Sequence, residues 1–445
     1  MVVQTPQRTE THKPGVEDGP EVDAGVIEDA RARQRRHRGA GAAAALVAAT
    51  VAVGLLLGFS GGGGGALRSG HDPRPAPHRN SGGSAPGQAA GATLTSAPQG
   101  ISQIGLLAPG VGWAATQGGF YFTRNGGRTW ARTHVPGLGS DATAGIAAGT
   151  SPTPDHAVLI VNATPAYGSC AWQAHPGTAI AIQAVAVSAD GGRRWQTHPL
   201  RNCLDPYVLS FVNSRTGFMA GWEHSRPATL ALYMTGDGGR RWHRVGPLPI
   251  PGSITFATSR LGLGLAFSDS AEAGVADTPG RIALYRTVDG GSSWQRQRIC
   301  RSTPRQAVAV ICQFPVATGP STFYVPAVLA DNRTKRAHPI VYVTTDGGRR
   351  WTTRRLPKLS VFYQQALYGN RYLTMPFSAP DARHLFTLVL GLLFRTADGG
   401  RTWASSGAYQ GTLDFASADY GWDMTGSRLY RTTDGGRTWK AFTQR

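Results

Sequence analysis

From residue 101 onward, apolar and polar positions alternate in short runs. Near the C-terminus, TLDFAS, YGWDMT, SRLYRTTD and TWKAFTQ each set apolar or β-branched residues against polar ones at a period of two. That period belongs to half-buried strands. No 3.6-residue pattern runs through this part of the chain, so helical solenoids are excluded. The 59 glycines and 29 prolines fit many tight turns between short strands. A different pattern precedes it. No charged residue occurs from Gly39 until Arg68, and Ala40–Phe59 is apolar or small almost throughout. As a helix that stretch would measure about 30 Å, the thickness of a bilayer's hydrocarbon core.

The strand pattern repeats. The frame [ST]-x-[DN]-G-G-x-x-W occurs seven times, ending at Trp130, Trp195, Trp242, Trp294, Trp351, Trp403 and Trp439. Its acid or amide position is Asn125, Asp190, Asp237, Asp289, Asp346, Asp398 and Asp434. The smallest interval between successive tryptophans, 36 residues, still holds four strands of 5–6 residues plus turns, which need about 35 residues. A second echo, GVGW (Trp113), RTGF (Phe218), RLGL (Leu263) and DYGW (Trp422), falls between the first and second strands of its unit. Units 2, 5 and 6 lack a clear copy. Seven four-stranded antiparallel units around a channel predict an all-β, seven-bladed β-propeller preceded by an N-terminal transmembrane helix.

The eight-residue box falls on the turn between the third and fourth strands. Its paired glycines permit φ > 0, its Asp can accept bonds from the turn's own N–H groups, and its Trp can cover the turn. Chemistry needs an acid once or twice, not once per blade, so the box reads as structural. It resembles the Asp-box, or bacterial neuraminidase repeat, over residues 101–445. Taken nearly end to end, FASADYGWDMTGSRLYRTTDGGRTW (Phe415 to Trp439) is most similar to the photosystem II stability/assembly factor family. That resemblance implies an extracytoplasmic, non-enzymatic propeller that binds membrane-protein partners. The anchor, the long tether and the inserts in blades 2 and 4 depart from the family.

Composition refines this picture. Formal net charge is +19, and the first 38 residues hold seven acids and seven Lys/Arg, so the excess sits in the rest. The organisation read from the sequence is a polar cytoplasmic segment (1–38), a transmembrane anchor (39–59), a Gly/Pro/Ser-rich linker (60–100) and the propeller (101–445). Arg31, Arg33, Arg35, Arg36 and Arg38 precede the apolar stretch, which places the N-terminus in the cytoplasm and the propeller outside. A cleaved signal peptide is the alternative, and a 38-residue leading segment is long for one. Partners are then the membrane through one helix, and a protein partner or anionic envelope component; nucleic acid is not favoured. Arginine follows Gly-Gly in six boxes, at Arg128, Arg193, Arg240, Arg349, Arg401 and Arg437. Propeller symmetry would arrange these as a basic ring on one face, the candidate binding residues; a set of solvated turn charges is the plainer reading.

No cofactor, metal site or catalytic residue is assigned. A sialidase-like glycoside hydrolase is the rival. It needs an arginine triad, a Tyr–Glu pair and an acid/base Asp, and the usual Arg-Ile-Pro motif is missing. Outside the boxes residues 101–445 hold ten Asp and two Glu, few for the two placed carboxylates of glycoside hydrolysis. Glu223, Asp269 and Glu272 read as loop acids. A polysaccharide-binding module is the third class, with Tyr167, Trp172, Tyr207 and Trp222 as its aromatic candidates. The four cysteines show no zinc spacing. In an oxidising compartment they predict two disulfides, Cys170–Cys203 and Cys300–Cys312.

Overall fold

The structure is a computed structural model. It describes residues 93–116, 119–138, 146–162, 169–171, 179–181, 183–200, 204–223, 229–248, 252–267, 282–300, 308–331, 333–334, 336–357, 361–362, 375–389, 391–408 and 411–442. The segments expected as cytoplasmic tail and membrane anchor lie outside these residues.

The described residues form a seven-bladed β-propeller. Each blade is an antiparallel sheet with its strands, A to D from the inside out, in sequence order. Blade 1 uses Ile101–Ala108, Val111–Thr116, Gly119–Thr123 and Trp130–Thr133, and blade 7 uses Thr412–Phe415, Gly421–Thr425, Arg428–Thr432 and Lys440–Ala441. Strands A of blades 1 to 5 contact one another in turn, as do those of blades 6 and 7, and strand A of blade 7 meets strand A of blade 1, which closes the ring. Two sheets exceed four strands. Thr93–Leu94, within the stretch read as linker, pairs outside strand D of blade 1. In blade 5, Val361–Phe362 pairs with Arg336–Ala337, and strand A is split into Val308–Cys312 and Val316–Ala317.

The core lies between blades rather than within one. Trp113, Phe218, Leu263 and Trp422 each open strand B, and all are buried. Phe218 stacks on Phe256 of blade 4 at 3.5 Å between centroids, and Trp422 meets Trp130 of blade 1 at 5.7 Å. The glycine before each has a packing reason. A Cβ on Gly217 would lie 2.7 Å from the Phe211 ring, and one on Gly421 2.6 Å from Phe415. In blades 3 and 7 the glycine of the echo thus leaves room for a ring of the same blade's strand A to lie over bare backbone.

Cys300 and Cys312 form a disulfide, Cα–Cα 5.5 Å, joining the end of blade 4 to strand A of blade 5. Both cysteines are buried. Closing so short a loop stabilises the fold by about 3 kcal/mol in the chain-entropy account. Serine at both positions is therefore expected to lower the thermal midpoint by several degrees, measured by differential scanning calorimetry; an unchanged midpoint would count against it. The Cys170–Cys203 pairing falls outside the described residues, since Cys203 is not among them.

Candidate functional site

The boxes sit on the C–D turns of all seven blades, and their hydrogen bonds follow one scheme. The Ser or Thr hydroxyl at the first position accepts from the second glycine's N–H, as in Gly436 to Thr432 at 2.8 Å and Gly192 to Ser188 at 2.7 Å. The same hydroxyl donates to the box carboxylate, Thr432 to Asp434 Oδ1 at 2.8 Å. That oxygen also accepts the N–H groups three and four residues on, Arg437 at 3.0 Å and Thr438 at 2.9 Å. Asn125 fills the role in blade 1, accepting from Thr129 N at 2.9 Å. In five boxes the indole donates to the second glycine's carbonyl, at 3.1 Å for Trp130, 3.2 Å for Trp195, 3.0 Å for Trp242 and Trp294, and 3.1 Å for Trp403. Trp351 instead donates to Gln297.

These bonds lower the pKa values of the carboxylates. For Asp289 the Ser293 hydroxyl is the main cause, and its pKa falls to about 2. For Asp434 partial burial opposes ionisation, but the Thr438 hydroxyl and N–H outweigh it, again to about 2. Asp190, Asp237, Asp346 and Asp398 are lowered as well.

The first glycine connects the box to the rest of its blade. Its N–H donates to the A–B turn in all seven blades: Gly126 to Gly110, Gly191 to Asp155, Gly238 to Arg215, Gly290 to Arg260, Gly347 to Ser321, Gly399 to Arg383 and Gly435 to Asp419. Blades 2, 5 and 6 make this bond without the sequence echo, because only a backbone carbonyl is needed. Boxes and A–B turns thereby form one continuous face.

The sequence did not point to the contacts between boxes. The first glycine's carbonyl accepts an arginine from the preceding blade: Gly191 from Arg124, Gly347 from Arg286, Gly435 from Arg395 at 3.4 Å, and Gly126 from Arg431 at 2.8 Å. At the seam between blades 2 and 3 the donor is His156 Nε2, 3.0 Å from the carbonyl of Gly238. No short-range motif marks these donors. Arg286, Arg395 and Arg431 come one residue before the box and Arg124 sits inside it, so their spacing differs.

The structure places Arg128, Arg193, Arg240, Arg349, Arg401 and Arg437 on the face made by boxes and A–B turns, all exposed. Three fold back on their own turn, with Nη1 bonded to the carbonyl of Asp237 at 3.3 Å, Asp398 at 2.9 Å and Asp434 at 2.7 Å. The box carboxylates face their own backbone, so among the charged groups of the boxes the guanidinium groups are what this face offers to a partner.

Glu223 and Tyr233 do form a Tyr–Glu pair, 2.5 Å apart. It stands on strands B and C of blade 3, with Glu223 opposite Leu204 of strand A. Glu223 also accepts from Arg244 Nε at 2.7 Å and Thr229 Oγ1 at 2.8 Å. These donors overcome partial burial and keep the carboxyl below its ordinary range. Burial, then Glu223 itself, pushes the Tyr233 phenol far up. A phenol so hard to ionise is a poor nucleophile, and the group works as a clasp between strands. Tyr207 is buried and Trp222 exposed. Tyr167, Trp172, Asp269 and Glu272 fall outside the described residues. Among the described residues no group of three His, Cys, Asp or Glu could hold a metal ion.

A carboxylate also lies on an innermost strand. Asp414 Oδ2 accepts the Leu106 N–H of blade 1 at 2.8 Å, where serines do the same at other seams, Ser210 for Phe256 and Ser378 for Phe415. Burial pushes the Asp414 pKa up to about 6.

No family model matches the chain, and no curated protein matches it. Solved structures do. One is described as YCF48 bound to D1 peptide, with 18% identity over 67% of this chain and 81% of that one, at a TM-score of 0.38. A GH74 enzyme of Niastella koreensis is 13% identical, covering 75% of this chain and 61% of that one, at a TM-score of 0.30. A PL25 ulvan lyase bound to -[GlcA(1-4)Rha3S]- is 10% identical, covering 79% and 95%, at a TM-score of 0.40. Binding modules and carbohydrate-active enzymes stand side by side among them, and at this level likeness concerns the fold alone.

Proposed function

We propose that the chain is a membrane-anchored, extracytoplasmic propeller that acts as a non-enzymatic scaffold for envelope or membrane proteins. In this reading residues 39–59 are the anchor, the Gly/Pro/Ser-rich stretch is the tether, and the face of boxes and A–B turns docks on anionic groups of the partner. The observation that carries it is the division of labour in the box. Each box carboxylate is turned to its own backbone, while the arginine that follows Gly-Gly in five of these six boxes stays exposed. Guanidinium groups suit this work because they stay charged and form paired bonds to carboxylates and phosphates. The similarity of the blade sequence to the photosystem II stability/assembly factor family supports the same class of work, without extending to photosynthesis.

The test is crosslinking pull-down from native membranes with the full chain. Glutamate at Arg349, Arg401 and Arg437 together is expected to cut recovery of specific partners about tenfold or more, since like charges brought together at an interface cost several kcal/mol. Recovery equal to wild type would remove the box face from the function.

A further inference from the structure

Arginine bridges four of the seven seams on the box face; the seams of blades 2 and 3, 3 and 4, and 5 and 6 carry none at the matching positions. Between blades 1 and 2, 4 and 5, 6 and 7, and 7 and 1, an arginine side chain reaches across to the next box. At the seam between blades 2 and 3, the position matching Arg124 is Ala189 and the position matching Arg431 is Val187. The crossing contact is made lower down, by buried His156. Above it lies a cleft of about 450 Å³ lined by Thr153, Asp155, Ala189, Ser214, Arg215 and Arg240, with His156 and Asp237.

Its charges are separated across the cleft. Arg215 and Arg240 come from the A–B turn and box of blade 3, and Asp155 from the A–B turn of blade 2. Asp237 is engaged, its Oδ1 taking Thr235 Oγ1 at 2.9 Å and the N–H groups of Arg240 at 3.1 Å and Arg241 at 2.9 Å. Burial lowers the His156 pKa, partly offset by its bond to the Gly238 carbonyl, and Arg240 lowers it further. Arg240 spends one long bond on its own turn, leaving the rest of its fork for a ligand. Arg215 and Asp155 are exposed. The cleft therefore presents two guanidinium forks on one wall and a carboxylate on the other.

We propose that this cleft binds the phosphoethanolamine headgroup of a phospholipid, its phosphodiester against Arg215 and Arg240 and its ammonium against Asp155. A phosphodiester offers acceptors to both forks at once, and a primary ammonium supplies donors that Asp155 can accept. The proposal rests on the reading that the chain is anchored in a membrane and turns its box face toward it. It adds that this face rests on lipid at the seam of blades 2 and 3.

The experiment uses the full chain in nonionic detergent, titrated with sn-glycero-3-phosphoethanolamine and followed by calorimetry. Saturable binding is expected, with Kd on the order of 1 mM for so small a ligand. Arg215→Ala and Arg240→Ala should each weaken it about tenfold, the loss of a charge-assisted pair. Asp155→Asn should weaken it too, yet leave glycerol 3-phosphate bound as well or better. In nanodiscs, phosphatidylethanolamine should protect residues 153–156 and 214–215 from hydrogen exchange more than phosphatidylcholine does, whose trimethylammonium has no N–H to donate. Circular dichroism melts check each variant's fold, and Arg215, on an exposed turn, keeps the test informative if Arg240→Ala unfolds.

No saturable binding would overturn the proposal. So would inorganic phosphate binding equally well with no effect of Asp155→Asn, which marks a general anion site. Tighter binding of an acidic dipeptide would assign the cleft to a protein partner. Arg349, Arg401 and Arg437 lie outside the cleft, so loss of partner recovery with intact headgroup binding, or the reverse, separates the two readings.

Discussion

Alanine at Trp422 is expected to destabilise the propeller by about 3–5 kcal/mol, the usual cost of emptying a fully buried tryptophan site. Its ring is buried between blades 7 and 1, 5.7 Å from both Trp130 and Phe442. A Cβ placed on Gly112 would come within 2.5 Å of it, so the backbone of blade 1 touches the ring directly. The Arg431 bond to Gly126 and the Leu106 bond to Asp414 cross the same seam. This seam closes the ring by side chains and single bonds, since no strand of blade 7 pairs with blade 1. Chemical denaturation gives the magnitude, and hydrogen exchange tests the location. Protection should fall first at Ile104–Leu106 and around Gly126, while blades 3 to 5 keep theirs. A loss under 1 kcal/mol, or uniform loosening, would show that closure does not depend on this ring.

Acid should unfold the protein steeply between about pH 4 and pH 2, with little change from pH 7 to pH 4. The signs are set by direction of shift. The box aspartates are held below the ordinary carboxylate range, to about 2 at Asp289 and Asp434. A depressed carboxylate contributes stability that is present above its unfolded pKa, about 4, and lost as pH falls through its folded value. All six box carboxylates are lowered, so all of them begin to lose it below about pH 4. Above pH 4 two opposite effects meet. Asp414 and Asp423, both raised to about 6 mainly by burial, are stabilised by protonation as pH falls from about 6 to 4. His156 and His198, lowered mainly by burial, stay neutral in the fold while the unfolded chain protonates below about 6.5, which removes stability. Two groups act in each direction, so the upper range is expected to be flat. Tryptophan fluorescence against pH, at fixed ionic strength, reads it through the box indoles themselves. A midpoint above pH 5 would mean that the boxes do not set the acid limit.

The last unit shows how far the sequence reaches. Its four strands were legible because alternation has a period of two and the box marks the C–D turn. The observed strands fall inside the runs predicted for them, with ends shortened where the box takes over the backbone bonds. The Cys300–Cys312 bond was legible once the blade phase placed both cysteines on one connection. The box scheme was legible too, since Thr432, Asp434, Gly435, Gly436 and Trp439 interact within eight residues of one another. What was missed lies across seams. Arg431 and Gly126 are 305 positions apart, and His156 meets Gly238 over 82. Neither has a partner at fixed spacing.

The sequence by itself therefore determined the blades, their number and the turn that closes each, because strands and turns are built from local backbone chemistry repeated seven times. Only the tertiary structure decided which arginines are spent holding blades together and which remain exposed. It also decided that a cleft remains at the seam of blades 2 and 3, where alanine stands at the position of the crossing side chain. Those outcomes depend on how neighbouring blades meet, and that meeting places residues together without regard to their distance along the chain.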